Sequence, residues 1–204
     1  MADHEPAADP GGHPTVSSDD EALILVDEHD QEIGYLSKGQ CHAADGILHR
    51  AFSVFLFDAR GRLLIQKRGR DKRLWPLYWS NSCCSHPRRG ESMTIATGRR
   101  LREELGMTAA LEFLYKFTYQ ASFGDAGAEH ELCWVYIGLA NTPVRANNTE
   151  IEDWRFVSPE ELDRLMNRQA QLFTPWFKLE WAQLRSEFQD RIDHLVTAGQ
   201  RLTG

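Results

Sequence analysis

The chain has 204 residues, 42% of them hydrophobic, with 30 acidic against 23 basic side chains and a formal net charge of −7. That length suits one domain around a single substantial core, and the acidic balance excludes a general nucleic-acid surface, because phosphate-backbone binding is dominated by Lys and Arg. No apolar run approaches the roughly 20 residues of a membrane span.

Residues 1–20 are rich in Asp, Glu, Pro, Gly and His and carry almost nothing large and apolar. They are expected to form a solvated, disordered leader, with residues 21–204 as the single domain. His4 and His13 fall in that leader and receive no role. The N-terminus lacks a basic region followed by an apolar one. Cys41, Cys83, Cys84 and Cys133 form neither a CxxC framework nor a dense disulfide scaffold, so they read as reduced thiols. A soluble cytoplasmic protein is expected, and the sequence carries no signal of oligomeric state.

The apolar run Ala22–Val26, the polar stretch Asp27-Glu28-His29-Asp30 and the resumption at Ile33–Leu36 predict two strands joined by a turn. His42 and His49 follow, seven apart, just before the strand Ala51–Phe57. Asp58-Ala59-Arg60-Gly61 is a turn signal, so Ala51–Phe57 and Arg62–Arg68 are expected to form an antiparallel hairpin. The second strand runs into a basic loop with five cations, Lys67, Arg68, Arg70, Lys72 and Arg73, and stops at Leu74–Trp79. Trp75, Pro76 and Trp79 are expected to pack this loop.

Asn81 to Glu91 places two thiols, an imidazole and a carboxylate in one stretch. Ser92 can cap the helix that follows and Gly106 can close it in the left-handed conformation. Arg100 and Glu104 then share a face, four residues apart, which on charge pattern alone would be a surface helix with solvated salt bridges. Beyond it, Leu111–Ser122 and Ala128–Leu139 read as strands joined by a turn at Phe123–Gly127. The two-residue period places Phe117, Tyr119 and Ala121 together, and it places Glu129 and Glu131 on one face with His130 on the other. Glu150–Val157 reads as a strand, Ser158-Pro159 starts a helix, and Phe173 opens one long helix to about Val196. Phe177, Leu184, Phe188, Ile192 and Leu195 are its apolar stripe.

Ser85, Glu91, Arg99, Arg100, Leu101, Glu103, Glu104, Gly106 and Met107 resemble the Nudix box, the loop-helix-loop that holds divalent cations against a diphosphate. Ser85 stands where the box has its first Gly, and Arg100 where it has a Glu after Arg99. With Asn81-Ser82-Cys83-Cys84-Ser85-His86-Pro87 ahead of it, the box is similar to that of the type I isopentenyl diphosphate isomerases, and the resemblance runs from about residue 22 to 180. It implies an α/β Nudix-like fold, a mixed curved β-sheet flanked by α-helices. It also implies conversion of isopentenyl to dimethylallyl diphosphate in isoprenoid biosynthesis.

By the same resemblance, Cys84, Glu131 and Tyr119 would be catalytic. Lys38, Arg68, Lys72, Arg100 and Trp176 would hold the substrate, with Trp176 shielding the reacting carbons. His42, His49, His86, Glu129 and Glu131, with Cys84, would serve one Mn²⁺ or Zn²⁺, and Glu104 would hold a Mg²⁺ that bridges the diphosphate. The implied partner is a small isoprenoid diphosphate, not a nucleic acid or a membrane. A Nudix-type diphosphate hydrolase is the alternative, and Glu103 and Glu104 leave it open. Arg100 in a carboxylate position and the assembled His and Glu set speak against it. A catalytically dead diphosphate-binding protein would have little need of Cys84, Glu131 and Tyr119.

Overall fold

The computed structural model describes residue 13 and residues 15–203. Most of the leader expected over residues 1–20 therefore lies outside the described residues. Of its described end, Thr15, Ser18, Asp19 and Asp20 are exposed and Val16 and Ser17 half-buried, and Thr15, Ser17 and Asp19 line the rim of a cavity.

Nine strands form one mixed sheet among the described residues. β1 (Ala22–Val26) pairs antiparallel with β2 (Glu32–Ser37), and a short helical turn α1 (Lys38–Cys41) follows. β3 (His49–Phe57) is the central strand. It pairs in parallel with β8 (Ala128–Leu139) along its whole length and antiparallel with β6 (Cys83–Ser85). β4 (Leu63–Arg68) pairs with β5 (Trp79–Ser80) and β9 (Ile151–Val157), while β7 (Leu111–Ser122) runs antiparallel to β8. The helices are α2 (Met93–Leu105), α3 (Pro159–Arg168), α4 (Pro175–Glu187) and α5 (Gln189–Thr203).

β3 is buried on both faces, as its nearly unbroken apolar sequence requires. Phe55 and Phe57 enter one core with Phe177, Trp181 and Leu184 of α4, and Phe52, Val54 and Leu56 enter the other with Ala96, Leu101 and Leu105 of α2. Each buried Phe or Leu contributes roughly 1.5–3 kcal/mol. These two cores fix α2 and α4 on opposite sides of the strand that carries His49.

The caps form where the sequence places them. Ser92 Oγ accepts from Ile95 N–H, Gly106 takes φ 62°, and Ser158 Oγ accepts from Glu161 N–H ahead of Pro159. One expectation holds in shortened form and another is corrected. The β3–β4 hairpin closes only at Phe57 and Leu63, because β3 is claimed by β6 and β8 and β4 by β5 and β9. The long helix from Phe173 is two helices: its apolar stripe continues across Phe188, but the backbone there leaves the helical region (φ −122°) and α5 starts afresh. No helix among the described residues is long and apolar enough to cross a membrane.

Glu180 of α4 is fully buried, with Oε1 at 3.6 Å from Cys133 Sγ and Oε2 without a hydrogen-bond partner. Burial pushes its carboxyl up to about 8 from an ordinary value of 4.5. Between those two pH values the folded chain holds a proton that the unfolded chain has released. The stability given by the neutral acid is therefore complete below pH 4.5 and is lost as pH rises towards 8, by about 1.4 kcal/mol per pH unit. Glu180→Gln should remove this slope, leaving the variant more stable than the parent at the alkaline end. Denaturant titrations across that range check it, and parallel stability curves for the two proteins would contradict it.

Candidate active site

Five side chains from four places in the chain converge. His42 caps the end of α1, whose start is set by a capping box between Ser37 and Gln40. His49 opens β3, His86 follows β6, and Glu129 and Glu131 project from β8, where Glu131 is the register partner of His49. One ligand atom from each lies within 4.8 Å of all the others. His86 Nε2 is 2.8 Å from Glu131 Oε1, His42 Nε2 is 2.9 Å from Glu129 Oε2, and the Nε2 atoms of His42 and His49 are 3.2 Å apart. Gly127 makes this approach possible: a Cβ there would lie 2.1 Å from the His42 carbonyl oxygen. His130 stays outside the cluster, as the strand alternation predicts.

The mixed nitrogen and oxygen donor set fits a divalent metal ion. His49 Nδ1 lies 2.7 Å from the Ile47 carbonyl oxygen, which can only accept, so the lone pair of Nε2 faces the cluster. Burial, followed by the charge of His42, lowers the His49 imidazole to about 4, and burial lowers His86 as well, so both rings favour the neutral form a metal would need. Glu129 Oε2 is buried without a hydrogen bond of proper geometry. Burial and then the charge of Glu129 hold the Glu131 carboxyl well above the usual range. Against its own burial, Glu129 is held down by His42. One imidazole-rich pocket thus pulls its two carboxyls in opposite directions, Glu131 up and Glu129 down.

Cys84, expected among the metal ligands, does not join this group. Its Sγ lies 3.8 Å from Arg68 Nη1 and 3.9 Å from Ser80 Oγ. Burial pushes the thiol up to about 12, with Arg68 opposing. Across the register, Tyr119 on β7 faces Glu131, and its hydroxyl donates to Glu131 Oε2 at 2.7 Å. Cys84, Tyr119, Glu131 and Trp176 all line one cavity of about 320 Å³. Trp176 is pinned by its Nε1 hydrogen bond to Ser80 Oγ at 3.1 Å, and its ring meets Trp75 edge-on at 5.3 Å and the Arg68 guanidinium at 5.2 Å. Trp75 and Leu77 both take left-handed backbone angles, φ 46° and 64°. Such strain costs on the order of 1 kcal/mol or more per residue. The turn turns the Leu74 and Trp75 carbonyls onto Arg68, which donates to both.

The far end of the same cavity is cationic. Arg100 is 3% exposed, with Nε 2.9 Å from Glu104 Oε1 and Nη2 3.1 Å from Glu150 Oε2. The α2 pair is therefore interior, not the solvated surface bridge that charge pattern alone predicts. Lys72 Nζ donates to Glu150 and Lys38 Nζ to Ser17 Oγ, while Arg100 Nη1 donates to the Val16 carbonyl at 2.9 Å. Burial lowers the Lys38 ammonium, with Lys72 and Arg100 adding to it. Glu104 stands apart from the His and Glu cluster, against Cys83 Sγ at 3.5 Å and Gln66. No local pattern points to Glu150, whose contact with Arg100 crosses 50 residues, or to Ser80 behind Cys84 and Trp176.

A mixed sheet with the loop and helix of residues 83–106 packed on it defines a Nudix-domain protein, and the NUDIX domain model matches residues 47–177. The crystal structure of DR0079 from Deinococcus radiodurans shares the fold, with a TM-score of 0.60 at 23% identity, covering 73% of this chain and 90% of that one. Isopentenyl-diphosphate Delta-isomerase 1 of Photorhabdus laumondii is 40% identical over 84% of this chain and 99% of its own length. The isopentenyl-diphosphate Delta-isomerase of Frankia alni is 36% identical over 96% and 99% of the two chains, and that of Schizosaccharomyces pombe 34% over 86% of each. The chain belongs to the isopentenyl-diphosphate Delta-isomerase family.

Proposed function

We propose that this protein interconverts isopentenyl diphosphate and dimethylallyl diphosphate, with Cys84 and Glu131 as its proton-transfer groups. The observation that carries the reading is that Cys84, and Glu131 with Tyr119, border one cavity beside the Trp176 indole, while Lys38, Lys72 and Arg100 border its other end. A thiol and a carboxylic acid can exchange protons with carbon on two sides of a flat alkene. One group adds a proton to the terminal alkene carbon, leaving a tertiary cation, and the other removes a proton from the carbon nearer the diphosphate. The double bond shifts by one position with no redox change. The Trp176 ring face stabilises the cation by about 2 kcal/mol or more in a desolvated site, and the buried walls keep out water that would capture it. Tyr119 holds and orients the Glu131 carboxyl through its hydrogen bond.

His42, His49, His86, Glu129 and Glu131 would hold one Mn²⁺ or Zn²⁺. When bound, that ion withdraws electron density from the Glu131 carboxyl and makes its proton more acidic. A Mg²⁺ accompanying the diphosphate would have Glu104 as its carboxylate on the protein side. The four free thiols support a reducing, cytoplasmic setting.

The hydrolase alternative is the weaker one. It needs a box carboxylate where this chain has Arg100, and that guanidinium spends itself on Glu104 and Glu150. Incubation with isopentenyl diphosphate and Mg²⁺, followed by proton NMR with a parallel phosphate assay, should yield dimethylallyl diphosphate and no phosphate. Released phosphate would transfer the chain to the hydrolase reading.

A further inference from the structure

Glu150 stands in the middle of the cationic end of the cavity and has no part in the reaction described above. Its side chain is 3% exposed, and its Oε2 receives both Lys72 Nζ and Arg100 Nη2. Those are two of the four cations the resemblance assigns to the diphosphate, so the carboxylate already occupies positions that a phosphate oxygen would take.

The backbone of Glu150 is tied down on both sides, and its carboxylate is held by the two ion pairs. Its N–H donates to the Asn147 carbonyl at 3.0 Å, and its own carbonyl accepts from Gly69 N–H at 2.7 Å. A Cβ at Gly69 would sit 3.0 Å from that carbonyl oxygen, so the basic loop and the 147–150 turn are closed face to face. Asn147 N–H in turn donates to the Glu104 carbonyl at 2.8 Å, which ties the turn to the end of α2 that carries Arg100. Glu150 is thus a built-in negative charge, fixed relative to Lys72 and Arg100.

We propose that Glu150 makes diphosphate binding conditional on a divalent cation, by repelling the bare anion from the Lys72 and Arg100 pair and admitting it once a Mg²⁺ accompanies it. The inference rests on reading Lys38, Lys72 and Arg100 as the diphosphate-holding cations. The bare diphosphate ester is up to a trianion, and Mg²⁺ cancels two of those charges. A fixed carboxylate a few ångströms away therefore penalises the bare form about three times as heavily as the magnesium form. Glu150 so acts as a specificity-determining residue that selects the charge state of the ligand.

Calorimetric titration with inorganic pyrophosphate tests this, with and without saturating Mg²⁺, on the parent chain and on Glu150→Gln and Glu150→Asp. The parent should bind the magnesium form more tightly. Glu150→Gln should narrow that preference on the order of tenfold, mainly by binding bare pyrophosphate more tightly. Glu150→Asp, which keeps the charge, should retain the preference, whereas a purely structural role would weaken both variants under both conditions. An unchanged preference in Glu150→Gln, or loss of both modes of binding in that variant, would overturn the role of Glu150 alone. Failure of the parent chain to bind pyrophosphate under either condition would overturn the reading of the three cations, and this inference with it.

Discussion

Replacing Cys84 with Ala should abolish measurable turnover, a loss of roughly 10⁴-fold, while leaving diphosphate affinity nearly unchanged. The separation follows from the placement of the thiol. Its Sγ touches Arg68 Nη1 and Ser80 Oγ at the end of the cavity bounded by Trp176, and it touches none of Lys38, Lys72 and Arg100. Arg68 is held independently by the Leu74 and Trp75 carbonyls, so losing the sulfur does not release it. Steady-state turnover measured beside calorimetric binding of pyrophosphate gives both quantities. Turnover near that of the parent would remove Cys84 from the reaction, and a matching loss of pyrophosphate affinity would make its effect structural.

Glu131→Gln should be the more damaging change, because this one side chain is shared by two systems. Its Oε1 faces His86 at 2.8 Å in the His and Glu cluster, and its Oε2 accepts the Tyr119 hydroxyl at 2.7 Å beside the cavity. An amide keeps the shape but can neither deliver a proton of comparable acidity nor ligate as an anion. Metal affinity should fall by at least about 10²-fold, since lesser, outer-shell changes already cost 10–100-fold. Turnover should fall by roughly 10⁴-fold or more even when metal is restored by excess. Elemental analysis of the purified variant and turnover at rising Mn²⁺ or Zn²⁺ separate the two effects. Full recovery of turnover with added metal would reduce Glu131 to a ligand and leave the second proton-transfer group unassigned.

What could be read from the sequence was local. The alternation on β8 placed Glu129 and Glu131 inward and His130 away because a strand has a strict two-residue period, and the β7–β8 register then brought Tyr119 to Glu131. The caps at Ser92, Gly106 and Ser158 were equally legible, since each is decided by its own residue and its next three or four neighbours. What was not legible depended on distant partners. Arg100 departs from the box pattern, but nothing near it announces that Glu150, in a turn beyond two further strands, would complete its charge balance. Resemblance alone places Cys84 with the metal residues, yet its sulfur meets Arg68 and Ser80 while His86 meets Glu131. The break at Phe188 was hidden by an apolar stripe that runs unbroken through it, because packing periodicity reports which face is buried and not whether the backbone is continuous.

The most direct test of the central claim is to run isopentenyl diphosphate with the metal-loaded protein and Mg²⁺ in deuterium oxide, and to follow the product by NMR. Cys84 and Glu131 exchange their protons with solvent, so the proton added to the terminal alkene carbon should arrive as deuterium. Dimethylallyl diphosphate with deuterium in a methyl group, and no free phosphate, is the predicted result. Product without solvent deuterium in that methyl, or release of phosphate without a shift of the double bond, would contradict protonation of the alkene by these groups.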